Sequence, residues 1–107
     1  MVNEVKTKVP SSPLPYYVYA EKEFSIPAST WQVVKTGTFS SSVNWTGSIF
    51  IKALYQNYAA SAPCEVNISP HDASSFRIFI RENRGVGTNG ILRIMVLLDR
   101  PVTLTIS

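Results

Sequence analysis

Cysteine and histidine are almost missing from this chain. Cys64 and His71 are the sole representatives of their types, so no internal disulfide can close, and a zinc site built from Cys and His is not expected. Cys64 alternates with Val66 and Ile68 across Glu65 and Asn67, which reads as a buried structural thiol on a strand. His71 is the only imidazole that could activate it, and the pair is not read as a nucleophile and its base. Charge is also scarce, at 16% of residues against about 25% in ordinary domains. A surface built largely of Ser, Thr and Asn is expected to be covered by partners, although a polar extracellular domain has the same composition. The ten Lys and Arg residues leave a net charge of only +3. They are spread along the sequence, with Arg77, Arg81 and Arg84 alone close together, so nucleic acid is not an expected partner.

Long apolar runs are lacking too. No segment approaches the ~20 residues of a membrane span, and the start, MVNEVKTKVPSSPLPYY, has no apolar signal-peptide core. The expectation is synthesis in the cytoplasm without membrane insertion; a role outside the cell would call for another exit, such as assembly into a particle. Catalytic signatures are missing as well. The acidic residues Glu4, Glu21, Glu23, Glu65, Asp72, Glu82 and Asp99 form no D-x-D or E-x-x-H pattern. GVGTNG at 85–90 resembles a dinucleotide loop but opens no helix. His71 and Asp72, with Ser69, Ser74 and Ser75, share residue types with a hydrolase triad but sit in one short polar segment, where solvated turn residues are the simpler reading. Asn44-Trp45-Thr46 and Asn67-Ile68-Ser69 match the N-glycosylation pattern inside expected strands, and chance explains them. The reading is a non-enzyme with no cofactor and no metal.

What the chain does contain is period-two alternation. In VNWTGSIFIKALY, Val43 to Tyr55, the odd positions form an apolar row and the even ones a mixed row, as in a long strand with one face in a core. Phe50 and Leu54 on the other row call for a cover of their own. Around this stretch lie further expected strands: Tyr16–Ala20, Glu23–Ile26, Trp31–Phe39 (weakened or bulged at Gly37), Cys64–Ile68 (stopped by Pro70), Phe76–Glu82, Ile91–Leu98 and Val102–Ser107. NRGVGTNG at 83–90 is the strongest hairpin signal, since Gly and Asn supply positive φ. About eight strands at this spacing predict an all-β fold, an antiparallel β-sandwich of jelly-roll type. No stretch has the period and caps of a long helix.

Two units follow: an extended arm over 1–15 and a sandwich domain over 16–107. Pro10, Pro13 and Pro15 favour an extended arm, read either as a disordered tail or as a segment that orders against a neighbour through Val5, Val9 and Leu14. Aromatic residues make up 11% of the chain. Trp31, Phe24, Phe39, Trp45, Phe50, Phe76 and Phe79 are assigned to the core. Tyr16, Tyr17, Tyr19, Tyr55 and Tyr58 are assigned to exposed or interfacial positions. Asn57, Tyr58 and His71 are the candidate saccharide contacts, should the protein be a stand-alone carbohydrate-binding, lectin-like module.

From residue 23 onward, FSIPAS, the link KTGTFSSS, NWTGSIFIKALY, FRIFIREN and ILRIMVLL follow one another in an order that resembles the small β-sandwich modules at the ends of bacteriophage tail fibres and among capsid appendages. That resemblance implies a virion structural protein that forms homo-oligomers, with a trimer favoured. It also implies docking on other virion proteins and a part in host recognition, which surface glycan could serve. The sequence departs from a fibre in having no stalk or coiled coil, which suits a self-contained decorating subunit held by its arm. Val5, Val9, Leu14, Tyr16 and Tyr17 are the expected partner contacts.

Overall fold

A computed structural model describes residues 14–47, 49–58, 64–82 and 87–107. Among these residues the fold is all-β, with seven strands: β1 (Tyr16–Ile26), β2 (Gln32–Phe39), β3 (Ile49–Asn57), β4 (Glu65–Asp72), β5 (Ser75–Arg81), β6 (Thr88–Leu98) and β7 (Leu104–Ile106). They form two antiparallel sheets, a three-stranded one in the order β1-β6-β3 and a four-stranded one in the order β4-β5-β2-β7. The sheets face each other across one core, the arrangement of a β-sandwich. The pairing is nested: β1 bonds β6, β2 bonds β5, and β3 lies alongside β4 where the sheets meet.

The core follows from alternation on the two innermost strands. Leu92, Ile94, Val96 and Leu98 of β6 meet Phe76, Ile78 and Ile80 of β5, all fully buried. Phe39, Trp45 and Phe76 close one end as an aromatic cluster with centroids 5.4–6.1 Å apart. At the other end Tyr55 packs on Phe24 at 5.0 Å and donates its hydroxyl to the Phe24 carbonyl at 2.7 Å. Lys35 occupies an inward position of β2, yet its ammonium reaches the rim and sits 4.5 Å from the Phe24 ring centroid, a cation–π contact.

Several sequence expectations are corrected. The stretch Val43–Tyr55 is not one strand; β3 begins at Ile49. Upstream, Asn44 Oδ1 accepts from the Thr46 backbone N–H and hydroxyl at 3.1 and 2.7 Å, a local bond that competes with the ladder. Val43 N–H donates to the Ala73 carbonyl instead of to a sheet neighbour, and Trp45 Nε1 donates to the Asp72 carbonyl. Tyr16–Ile26 runs unbroken, because Glu21 and Lys22 stay in register opposite Arg93 and Leu92. Pro70 does not stop β4; the strand lies at a sheet edge, where a missing N–H is tolerated, with a register shift between Pro70 and Asp72. The 83–90 segment is no hairpin, since β5 and β6 belong to different sheets; its residues 83–86 lie outside the described set. Gly37 makes no bulge. It pairs with Phe76 in unbroken register, and a Cβ there would overlap the Phe76 ring.

Two predictions follow from this packing. Gly37→Ala forces the buried Phe76 ring aside and should lower stability by about 1–3 kcal/mol, read from the urea midpoint. The second concerns Tyr55, 1% exposed, whose phenol is pushed up to about 12 by burial first and by Cys64 and Tyr58 second. An unfolded chain ionises tyrosine near pH 10, so this contribution is intact below pH 10. It is lost as pH rises towards 12, by up to about 1.4 kcal/mol per pH unit, because the unfolded state releases a proton the folded state keeps. Tyr55→Phe should flatten that alkaline slope in urea titrations, while losing about 1–3 kcal/mol at neutral pH through the abandoned Phe24 carbonyl.

Candidate functional site

The face of the three-stranded sheet that points away from the core carries the chain's most distinctive surface. Register aligns the outward residues of β1, β6 and β3 in rows: Tyr17–Leu97–Phe50, Tyr19–Met95–Lys52, Glu21–Arg93–Leu54 and Glu23–Ile91–Gln56. Ser25 and Asn89 continue the sequence of rows, and the Tyr58 N–H donates to the Asn89 carbonyl at 2.9 Å just past the end of β3. One face therefore has two chemically different ends.

The first end is apolar. Tyr17 is 60% exposed, Phe50 57% and Leu54 52%, and Tyr19, Met95 and Leu97 are exposed beside them. Cross-strand neighbours lie about 4.8 Å apart and successive rows about 6.6 Å apart, so the band covers on the order of 15 by 20 Å. Isolated exposed apolar residues are ordinary, whereas a contiguous rimmed patch marks an interaction surface. Lys52 rims the band within its second row.

The middle is ionic. Arg93 lies 3.7 Å from Glu21 Oε1 and donates to Gln56 Oε1. Tyr19 donates to Glu21 Oε1 at 2.8 Å, and its phenol is raised by desolvation first and by the Glu21 carboxylate second. The far end is polar. Tyr58, 55% exposed, reaches across the sheet to donate its hydroxyl to Glu23 Oε2 at 2.8 Å. That bond is the main reason its phenol is raised. Ser25 donates to Asn89 Oδ1. Between these groups lies an open recess of about 350 Å³, with Phe24 and Gly90 completing its lining.

The structure distributes the sequence-derived residues unevenly. Tyr16, Tyr17 and Tyr19 are exposed, with Tyr17 and Tyr19 inside the apolar band. Leu14 is half-buried just before β1, and Val5 and Val9 lie outside the described residues. Tyr55 is core, not surface, because its place on the inner row of β3 puts it beneath Phe24. Phe50 and Trp31, assigned to the core, are exposed; Phe50 takes the outer row and Trp31 precedes β2. Asn57, Tyr58 and His71 do not converge. His71 lies at the Asp72 end of β4, where the Asp72 carbonyl accepts from Trp45, while Asn57 and Tyr58 lie at the opposite end of the sandwich. Six residues of strand separate those ends along β4, about 20 Å. Glu23, Ser25 and Asn89 are the recess residues that sequence reasoning missed, since only register brings them beside Tyr58. Among the described residues no group of three or more His, Cys, Asp or Glu side chains could hold a metal ion, and no helix is long and apolar enough to cross a membrane.

No protein-family model matches the chain, and neither a curated protein nor a solved structure matches it significantly.

Because the band is solvent-facing, it contributes little to the fold of one subunit. Phe50→Lys and Leu54→Lys should each shift the stability of the dilute protein by no more than about 0.5 kcal/mol. Urea denaturation at low concentration checks this. A loss of several kcal/mol would place these side chains in a core.

Proposed function

We propose that this protein is a non-enzymatic structural subunit of a virion, a capsid-decorating or tail-appendage protein that associates with copies of itself and docks on the particle. The observation that carries the reading is the apolar band of Tyr17, Tyr19, Phe50, Leu54, Met95 and Leu97. A lone soluble domain gains nothing from leaving six large apolar side chains contiguous in water, whereas burial returns about 25 cal/mol for every Å² covered.

The topology supports the same reading. Nested pairing, β1 with β6 around β2 with β5 around β3 beside β4, is what a long antiparallel ribbon leaves when it rolls up on itself. This favours a jelly-roll sandwich, an architecture common in viral shells and lectins. The resemblance of residues 23–107 to phage appendage modules supplies the virion setting and a trimer as the favoured assembly.

The arm completes the picture. Stable interfaces bury roughly 800 Å² per partner, more than a band of these dimensions offers. Leu14 and Pro15 precede β1, which begins at Tyr16 in the row next to Tyr17. In the proposed assembly residues 1–15 extend the contact onto a neighbour through Val5, Val9 and Leu14, and Tyr16 and Tyr17 join arm to face.

Sedimentation and multi-angle light scattering test the association. The full chain should form a discrete oligomer, and Phe50→Lys or Met95→Lys should return it to monomer. A clean monomer at high concentration overturns self-assembly. Removal of residues 1–15 should change the stability of the isolated sandwich by less than about 1 kcal/mol, yet abolish co-sedimentation with the particle. Unchanged attachment removes the arm from the mechanism.

A further inference from the structure

We propose that the recess at the polar end of the same face is a binding site for a neutral saccharide. It is separable from self-association through the first row of the band: the Tyr17–Leu97–Phe50 row lies three rows from the Glu23 row and four from Ser25, about 20–26 Å, with Leu54 alone in the row beside Glu23.

The argument starts from Tyr58. Its ring is exposed but held at two points, by its backbone N–H on the Asn89 carbonyl and its hydroxyl on Glu23. A fixed aromatic plane with a polar tip loses little side-chain entropy on binding, and it offers an apolar face to the C–H side of a pyranose. Beside that plane stand groups suited to sugar hydroxyls. The Glu23 carboxylate is an acceptor for charge-assisted hydrogen bonds. Asn89 accepts from Ser25 at Oδ1, which turns its amide NH2 the opposite way, where it can donate. A volume of about 350 Å³ lies at the small end of ligand pockets, large enough for one or two sugar rings. The open shape suits the terminal residue of a longer glycan.

Charge narrows the class. Glu21 and Glu23 both lie on this face, where Arg93 is already engaged by Glu21 and Gln56, and Lys35, at the Phe24 ring, belongs to an inward row of β2. Phosphate, sulfate and carboxylate groups would be repelled, so nucleotides and acidic sugars are disfavoured. A metal ion fits no better, since among the described residues Glu23 is the only carboxylate lining the recess and its Oε2 accepts from Tyr58.

Saturation-transfer NMR on the full chain tests the proposal, with lactose, maltose, cellobiose and methyl α-mannoside as probes. At least one should receive transfer concentrated on the C–H protons of one ring face, with a Kd of about 1 mM or tighter. Tyr58→Ala should weaken it at least tenfold, and Tyr58→Phe, which keeps the ring, should weaken it less. Phe50→Lys, in the row farthest from the recess, should leave transfer unchanged even where it disrupts oligomers, so failure of this site and failure of self-assembly are read separately. Absence of transfer to all four sugars, or equal transfer with Tyr58→Ala in a protein whose melting curve is intact, overturns the proposal.

Discussion

Every feature of this molecule depends on the double pairing of β6. Its residues are matched along their whole length by β1 on one side and from Gly90 to Leu98 by β3 on the other. Alternation then divides its side chains: Leu92, Ile94, Val96 and Leu98 enter the core, while Arg93, Met95 and Leu97 face outward, with Ile91 covered on the outward face. A slip of one residue would exchange the two sets, exposing the core row and burying Arg93. Core and surface are therefore fixed by a single register, and the same pairing that stabilises the sandwich aligns Tyr17, Leu97 and Phe50.

Glycine matters at one point in this arrangement, where the sheet meets the recess. A Cβ on Gly90 would run into the Gln56 carbonyl and come within 2.7 Å of the Tyr55 ring. With hydrogen there, Tyr55 can lie under β6 and reach the Phe24 carbonyl, and this locks β1 to β3 beneath the central strand. Tyr58, three residues along, spans the opposite face to Glu23 of β1. Two tyrosines thus clamp the same pair of edge strands from the two sides of the sheet, one dry and one wet.

Much of this was legible in the sequence, and the failures have identifiable causes. The all-β class, the absence of helix among the described residues and the alternation of Phe76, Ile78 and Ile80 follow from local pattern alone. The exposed row of β3 was half visible, since Phe50 and Leu54 occupy positions that a single core cannot use. Its partners were not, because Met95 and Leu97 join them only through register, a property of two strands rather than one. The same limit hid the recess: Glu23, Ser25 and Asn89 are distant in sequence and look like unrelated polar residues. The start of β3 failed for another reason. Val43 and Trp45 fit the alternation, but the Asn44 side chain offers the backbone a local bond, and the Asp72 and Ala73 carbonyls capture Trp45 and Val43. Periodicity reports where a side chain prefers to be, not where the backbone finds its hydrogen bonds. Trp45 is buried in part as its pattern required, yet it reaches the core from a turn.

The division of one face into a dry end and a wet end bears on how an assembly of this chain could work. Association loses translational and rotational freedom worth at least about 4 kcal/mol, and more in most accounts. A band of six residues offsets that only if it is buried nearly completely and its rim is satisfied. Lys52 and the Glu21–Arg93 pair lie on that rim, where exposed charges keep their water and contribute about 0–1 kcal/mol; their effect is on orientation more than on affinity. A neighbour that covered the whole face would have to strip Glu21, Glu23 and Arg93 of solvent, and the desolvation penalty of several kcal/mol per ion would consume what the apolar end supplies. The energetically sound contact stops at the Arg93 row. In the proposed assembly such a contact leaves Tyr58, Glu23 and Asn89 open to solvent, with the charged middle row as the boundary between a buried contact and an accessible one.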